Sequence, residues 1–243
     1  MNKILLIDKP ADWTSFDVVA KIRGEVRKHS TFNNQQGNLN VQTTSCQLPT
    51  AKVRVGHAGT LDPFATGLLI VLIGSETKNQ DRYMKQDKEY VATLKLGETS
   101  TTGDPEGEIT QFSSDNFQFS IEDIDKILRQ FTGEISQVPP IYSAIKVDGK
   151  RAYALARAGA TPIMKSRQVV IYSLQLLNYY PEEAELQLHV KCSSGTYIRT
   201  LAEDIGKALG CGAYLTALRR TKIGEYDVQG AKTVDETLKN LAK

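Results

Sequence analysis

An uninterrupted apolar run, Leu68-Leu69-Ile70-Val71-Leu72-Ile73, closed by Gly74, constrains the fold more than any other stretch of the chain. Six residues are too few to cross a bilayer, which takes about 20. Aliphatic residues that follow one another without polar alternation are typical of a strand buried on both faces. The sequence therefore predicts that this strand lies inside a sheet that is covered on both sides.

The remaining hydrophobic patterns alternate between strand and helix periods. Strands are predicted at Ile4–Ile7, Lys88–Leu96, Val169–Leu177 and Leu186–Cys192. Helices are predicted to begin at Thr14 or Ser15 (with Phe16, Val19, Ile22 and Val26 on the apolar face), at Ser120, at Ile198 and at Asp235. Because several adjacent strands appear antiparallel and the order is not strictly βαβ, we expect an α+β fold with a central, mixed, mostly antiparallel sheet. We expect residues 1–243 to form a single domain.

One segment, from about Lys28 to Lys52, is rich in Asn, Gln, Ser and Thr and follows neither period. It has too few apolar groups to offset the entropy of ordering its backbone. The sequence predicts a polar insert that is mobile or weakly packed, and it serves either as a passive extension or as an element ordered by a partner.

Charge and cysteine content exclude several classes of protein. Lys and Arg exceed Asp and Glu by only two, so any nucleic-acid binding must come from local patches. Three widely spaced cysteines and three scattered histidines predict neither a disulfide scaffold nor a metal site. The N-terminus lacks the long apolar region of a signal peptide, so we expect a cytoplasmic protein.

The segment from Gly56 to Gly67 is the most unusual one. Three glycines and one proline lie within its twelve positions, together with one imidazole (His57) and one carboxylate (Asp62). Glycine allows a backbone to approach a ligand closely. On the residues alone, two interpretations stay open. Asp62 either caps a short turn that Pro63 begins, or it serves chemistry.

A second segment, from Ser194 to Thr200, joins a strand to a helix and places Arg199 in the first helical turn. The helix dipole disfavours a cation there. Arg199 is therefore either a solvated surface residue or the partner of a buried carboxylate, for which Asp62 is the candidate.

The third segment, Gln137 to Arg167, concentrates positive charge. It contains one acid, Asp148, and six basic residues: Lys146, Lys150, Arg151, Arg157, Lys165 and Arg167. Two tyrosines, Tyr142 and Tyr153, are interleaved. Phosphates attract such cations and bases stack on such rings, although a solvated charged face has the same composition. A second basic cluster, Arg219, Arg220 and Lys222, makes a common nucleic-acid groove plausible.

Together these segments resemble the TruB family of tRNA pseudouridine synthases. The resemblance rests on GHAGTLDPFATGLL, Lys88-Glu89-Tyr90, Pro139 to Lys146, SGTYIRTLAEDIG and Leu218-Arg219-Arg220-Thr221, which occur in family order over most of the chain. It implies the pseudouridine synthase fold and an isomerase that converts uridine to pseudouridine in the TΨC loop of tRNA, at position 55. Such an isomerisation involves no redox change, so we expect no cofactor.

The resemblance also implies roles for individual residues. Asp62 matches the catalytic aspartate, Arg199 its basic partner and Tyr90 the active-site tyrosine. His57, Tyr197 and Leu218 match positions near the flipped nucleotide, and Gln137–Arg167 matches the RNA-gripping thumb. With the basic residues singled out above, this predicts RNA contacts from Lys146, Arg151, Arg219 and Arg220.

Two departures from the family pattern stand out. Asp12 replaces a glycine that often follows the Lys-Pro pair, so the turn there is expected to differ. The chain leaves no room for a C-terminal RNA-binding domain of the PUA type, so we expect the thumb and the catalytic body to bind the RNA.

Two other functions remain open: a non-catalytic RNA-binding or tRNA-folding module on the same scaffold, and a guide-dependent subunit like dyskerin. An intact set of Asp62, Tyr90 and Arg199 disfavours the first. For the leading function we expect the tRNA T-arm as the partner, no membrane, no protein partner and a monomer.

Overall fold

The computed structural model describes residues 2–35, 53–112, 118–143, 145–147 and 149–242. They form two compact units, one built from residues 1–86 and 220–243 and the other from residues 87–219. We call these unit 1 and unit 2. The expectation of a single domain over residues 1–243 stays a prediction.

The described residues contain fourteen strands and six α-helices. The strands are β1 (Lys3–Lys9), β2 (Val55–Ala58), β3 (Thr66–Ile73), β4 (Lys88–Leu96), β5 (Glu98–Ser100), β6 (Ile109–Gln111), β7 (Gly133–Gln137), β8 (Lys146–Val147), β9 (Lys150–Arg151), β10 (Arg167–Tyr180), β11 (Glu185–Cys192), β12 (Ala213–Ile223), β13 (Tyr226–Asp227) and β14 (Lys232–Thr233). The helices are α1 (Ser15–Gln35), α2 (Gln80–Met84), α3 (Ile121–Gln130), α4 (Ala152–Arg157), α5 (Ile198–Ala208) and α6 (Val234–Leu241). None of the helices described is long and apolar enough to span a membrane.

Unit 1 is organised around β3, the strand that the apolar run predicts. Every residue of β3 from Gly67 to Ile73 is buried. Strands β1 and β2 both pair with β3 in antiparallel register, while β14 runs parallel to β1, so the sheet is mixed. Helices α1 and α6 pack against one face of β3, and Tyr83 and Ile223 pack against the other. Because both faces are buried, the run lacks polar alternation.

Helix α1 begins as its sequence predicts but differs in two respects. Thr14 is the N-cap: its Oγ1 accepts the Asp17 amide, and the Asp17 carboxylate in turn accepts the Thr14 amide. Phe16, which the helical period places on the apolar face, is 60% exposed, and Val18 is buried in its place. The helix continues to Gln35, so the first eight residues of the predicted polar insert are helical. The rest of that insert, residues 36–52, lies outside the described residues.

Unit 2 contains a wholly antiparallel run of strands, as its sequence predicts. β4 pairs with β11, β11 with β10 and β10 with β7, and β12 neighbours β4. Side chains along β4 alternate strictly between buried and half-buried. Both predicted helices of this unit are present: Ser120 caps α3 through the Asp123 amide, and α5 begins at Ile198. The α+β class with a mixed, mostly antiparallel sheet is therefore confirmed.

Candidate active site

The loop between β2 and β3 carries Asp62, which is half-buried. Its neighbour Leu61 is buried and is fixed at both backbone groups by Ser15. The Leu61 amide donates to Ser15 Oγ at 2.8 Å, and this hydroxyl donates back to the Leu61 carbonyl at 3.1 Å. A buried peptide that has both groups satisfied has little freedom, so the carboxylate next to it starts from a fixed backbone.

Arg220 holds the two ends of the same loop. Its Nε donates to the Leu68 carbonyl at 2.8 Å, while Nη1 and Nη2 donate to the Thr60 and Gly59 carbonyls at 3.3 and 3.1 Å. At Gly67 the backbone is left-handed (φ +100°), and a Cβ there would lie 2.3 Å from the Arg220 carbonyl oxygen. This close approach requires glycine. The spacing of the motif's glycines therefore follows from the way the loop packs on β12.

A second buried cation, Lys9, anchors the loop from the end of β1. Its Nζ donates to three carbonyls, those of Trp13 (2.6 Å), Pro10 (2.8 Å) and Pro63 (3.0 Å). Burial lowers the pKa of Lys9 to about 8, and the negative charges of Asp12 and Asp62 oppose that decrease. Lys9 is thus close enough to Asp62 for their charges to interact, and its positive charge favours the ionised carboxylate.

Asp12, which occupies the family's glycine position, joins the same arrangement. Its backbone is left-handed (φ +63°), and its amide donates to the Pro63 carbonyl at 2.9 Å. Aspartate is one of the few residues with a side chain that adopts this conformation readily. The turn therefore keeps a geometry that suits glycine, although the residue differs.

The burial of Arg220 corrects its predicted role in RNA binding. The side chain is 1% exposed and its guanidinium is directed at loop carbonyls, so it is not available to a phosphate. The preceding residue, Arg219, is half-buried and keeps that predicted role. Alternation along a strand explains the difference, because neighbouring side chains point to opposite faces.

His57 lies on β2, opposite Val71 of β3. Burial, together with the positive charge of Arg220, lowers the pKa of the imidazole, so it is neutral at physiological pH. Its Nδ1 is buried and has no hydrogen-bond partner within the protein. A neutral ring with an unsatisfied polar atom suits the predicted position near a flipped nucleotide, which remains a prediction.

Arg199 in unit 2 is buried and is paired with a carboxylate that the sequence did not single out. Its Nη1 lies 3.0 Å from Asp104 Oδ2 and also donates to the Thr102 carbonyl at 2.9 Å, while Nη2 donates to the Tyr142 carbonyl at 2.9 Å. The solvated alternative for Arg199 is thereby excluded. Its pairing with Asp62 stays a prediction.

Asp104 organises the turn between β5 and β6. Its carboxylate accepts the Thr102 hydroxyl at 2.5 Å and the Glu106 amide at 3.1 Å in addition to Arg199. Beside this pair, burial raises the pKa of Glu203, one turn along α5 from Arg199. In the sequence, Gly103-Asp104 has the composition of a simple turn, so nothing marked the carboxylate as the partner of a cation.

Tyr197 and Arg199 are positioned together at the start of α5. The Gln137 amide, which is fully buried, donates from Nε2 to the Tyr197 carbonyl (3.2 Å), and its Oε1 accepts the Tyr197 amide (3.1 Å). The guanidinium of Arg167 lies over the Tyr197 ring at 5.8 Å from its centroid. The two ends of the predicted thumb, Gln137 and Arg167, therefore both contact the residue that begins the helix of Arg199.

Tyr90 and Leu218 lie on strands of unit 2 and are both buried, at 8% and 7% exposed. Tyr90 is in register with Val190 of β11 and lies on the buried face of β4. Both positions suit contact with a base that has been withdrawn from water, as the resemblance implies, and both roles remain predictions.

Four cations of the predicted thumb are exposed to solvent. Lys146 pairs with Arg151, and Val147 with Lys150, in a two-stranded hairpin whose three cations are all exposed. Lys165 is exposed as well.

Among the described residues, no group of three His, Cys, Asp or Glu side chains could hold a metal ion.

Comparison with known proteins identifies the family of the chain. Residues 47–198 match the family model of the TruB family pseudouridylate synthase N-terminal domain, and residues 199–243 match that of the tRNA pseudouridylate synthase B C-terminal domain. The chain belongs to the TruB family. A tRNA pseudouridine synthase B from Parabacteroides distasonis is 44% identical over 97% of this chain and 91% of its own length. One from Cupriavidus metallidurans is 42% identical over 97% of this chain and 67% of its own length.

Among solved structures, the crystal structure of a Cbf5–Nop10–Gar1 complex is similar, with a TM-score of 0.66 and 26% identity over 97% of this chain. The chain spans about half (53%) of the length of that matched chain. These relationships confirm the TruB resemblance and the pseudouridine synthase fold. The loop of Asp62 and the start of α5 both lie in segments that match the TruB models.

Proposed function

We propose that this protein isomerises uridine to pseudouridine in tRNA, and that its target lies in the TΨC loop, at position 55. One observation carries the proposal: the only carboxylate of the glycine-rich loop, Asp62, is presented by a backbone that Ser15, Lys9 and Arg220 hold. A carboxylate on a fixed backbone suits a reaction that requires a catalytic group in a defined orientation. The curated TruB relatives named above are tRNA pseudouridine synthases.

The reaction detaches the uracil from the ribose by breaking the C1′–N1 bond and reattaches it through C5. A proton leaves C5 and N1 gains one, so the product is an isomer of the substrate. Asp62 supplies either the nucleophile or the base for these steps. The TruB resemblance assigns Tyr90 the role of the active-site tyrosine that provides a face for the base, and Arg199 the role of the basic partner of the aspartate.

RNA binding is assigned to the exposed cations. Lys146, Lys150 and Arg151 of the hairpin neutralise phosphates, and the target base is flipped because its reacting atoms are inaccessible in a stacked strand. Protein partners and a cofactor play no part in this proposal, and the protein acts as a monomer in the cytoplasm. The buried free thiols of Cys192 and Cys211 suit a reducing compartment.

The experiment that tests this function is chemical mapping of pseudouridine in a tRNA transcript incubated with the protein alone. The proposal requires a single modification in the T loop, absent from a transcript in which that uridine is replaced by cytidine. Binding without modification would instead favour a tRNA-folding module. Modification only after addition of a guide RNA would favour the dyskerin-like alternative.

A further inference from the structure

We propose that Arg220 is a positioning residue for catalysis: it fixes both ends of the Asp62 loop and thereby sets where the carboxylate stands. This inference rests on the proposed function and extends it to a residue that the sequence assigned to RNA binding.

The first argument is geometric. One planar guanidinium holds the carbonyls of Gly59 and Thr60 before Asp62 and that of Leu68 after it.

The second argument concerns the backbone around the guanidinium. Gly59 and Gly67 both have left-handed φ (+96° and +100°), and both lie against Arg220, the first near Nη1 and the second against its main chain. The loop is thus shaped around this one residue. A shift of Arg220 would move the two glycine turns that bracket Asp62.

The third argument concerns the chemistry of the side chain. An apolar side chain of similar size would fill the same space but would not donate to the carbonyls of Gly59, Thr60 and Leu68. What arginine adds is a rigid fork of donors in fixed directions. Lysine would keep the charge, but its three donors share one nitrogen, so it could not reproduce the positions of the donors at Nε, Nη1 and Nη2.

The adjacent arginine provides a matched comparison. Arg219 and Arg220 follow each other on β12, and only Arg220 is buried. If Arg220 positions Asp62, its loss should lower the rate of the chemical step. If Arg219 contacts RNA, its loss should weaken binding instead. The two neighbours should therefore give opposite kinetic signatures.

The test compares Arg220→Lys, Arg220→Met and Arg219→Ala in single-turnover assays at saturating tRNA and in equilibrium tRNA binding. We expect Arg220→Lys to react about 100-fold more slowly than wild type, because displacements near 1 Å have effects of this size. Its dissociation constant should stay within about twofold of the wild-type value, since the side chain does not reach the RNA. Arg219→Ala should instead raise the dissociation constant, as expected of an RNA contact.

Two measurements without turnover separate this inference from the proposed function. Amide exchange across residues 59–68 should accelerate in both Arg220 variants, while exchange in β4 stays unchanged. An NMR titration of His57 should show a raised pKa in Arg220→Met but not in Arg220→Lys, since the charge of Arg220 lowers that pKa. If wild-type protein makes no pseudouridine, the proposed function fails, and the exchange data still decide whether Arg220 holds the loop.

A folded Arg220→Lys protein with wild-type rate and wild-type loop exchange would overturn the inference. So would a loss confined to the dissociation constant, because that result would make Arg220 an RNA contact. Should Arg220→Met fail to fold, Arg220→Lys carries the test, since it keeps the buried charge and most of the volume.

Discussion

Arg199 and Asp104 form a buried ion pair in which Nη1 lies 3.0 Å from Oδ2 and the two side chains are only 7% and 5% exposed. The pair joins helix α5 to the turn between β5 and β6. The same arginine also donates to the Tyr142 carbonyl in the predicted thumb. Arg199 is thus held from two directions, and loss of either contact would leave its direction less fixed.

Removal of the Asp104 charge should be strongly destabilising. Breaking a buried pair from one side leaves an uncompensated charge, at a typical cost of about 3–5 kcal/mol. We expect Asp104→Asn to lower the free energy of unfolding by up to that amount and to slow the single-turnover rate, because Arg199 loses its fixed direction. Urea denaturation and single-turnover assays would measure the two effects.

The matched control for Asp104→Asn lies on α5, the helix that carries Arg199. Asp204 and Lys207 form a surface pair at 3.6 Å, and the lysine side chain is 72% exposed. Breaking it with Asp204→Asn should change stability by about 1 kcal/mol or less. Equal losses in the two variants would show that the Arg199–Asp104 pair has no special importance.

The lowered pKa of Lys9 predicts that stability increases with pH in the alkaline range. Its pKa is about 8 in the folded protein, below the ordinary value of 10.5. At pH between these two pKa values, Lys9 is protonated in the unfolded chain and largely deprotonated in the folded protein. The free energy of unfolding therefore increases as pH rises through this range. The gain is at most about 1.4 kcal/mol per pH unit.

The measurement compares the free energies of unfolding of wild type and Lys9→Met from pH 7.5 to pH 10. Their difference should shift in favour of wild type as pH rises, whereas a comparison with Lys21→Met, at an exposed position of α1, should show no such trend. A flat difference for Lys9→Met would mean that Lys9 ionises like an exposed lysine.

The hairpin of the predicted thumb should dominate the salt dependence of RNA binding. Lys150 and Arg151 are both exposed, and each phosphate contact contributes about −0.7 to the slope of log K against log salt on single strands. Replacing both by alanine should weaken binding and reduce the magnitude of that slope by about 1.4. Lys239→Ala, at an exposed position of α6, provides a control for the loss of one surface charge. An unchanged slope in the double variant would remove the hairpin from the interface.

Strands and helices that depend on residues adjacent in the chain were predictable from the sequence. The alternation of Lys88–Leu96 and the Ser120 cap correspond to β4 and α3 as observed. The apolar run likewise corresponds to β3. In each case the residues that set the structure are neighbours in the chain, so a short window contains the whole cause.

Features that depend on distant residues were not predictable in this way. Phe16 fits the helical period of α1 but is exposed, because burial depends on where the helix meets the sheet. Arg220 and Arg219 look equivalent in the sequence, and only the loop packed on one face of β12 distinguishes them. Asp104 was missed for the same reason, since its partner Arg199 is 95 residues away.

Replacement of Asp62 by asparagine tests the central claim most directly. This substitution keeps the shape of the side chain and removes the charge, while RNA binding depends on many cations elsewhere. With tRNA transcripts and quantitative detection of pseudouridine, we expect Asp62→Asn to form no product and to bind tRNA within about tenfold of wild type, or about 1.4 kcal/mol. A folded Asp62→Asn protein that retains even a few per cent of wild-type turnover would contradict the assignment of Asp62 as the nucleophile or base.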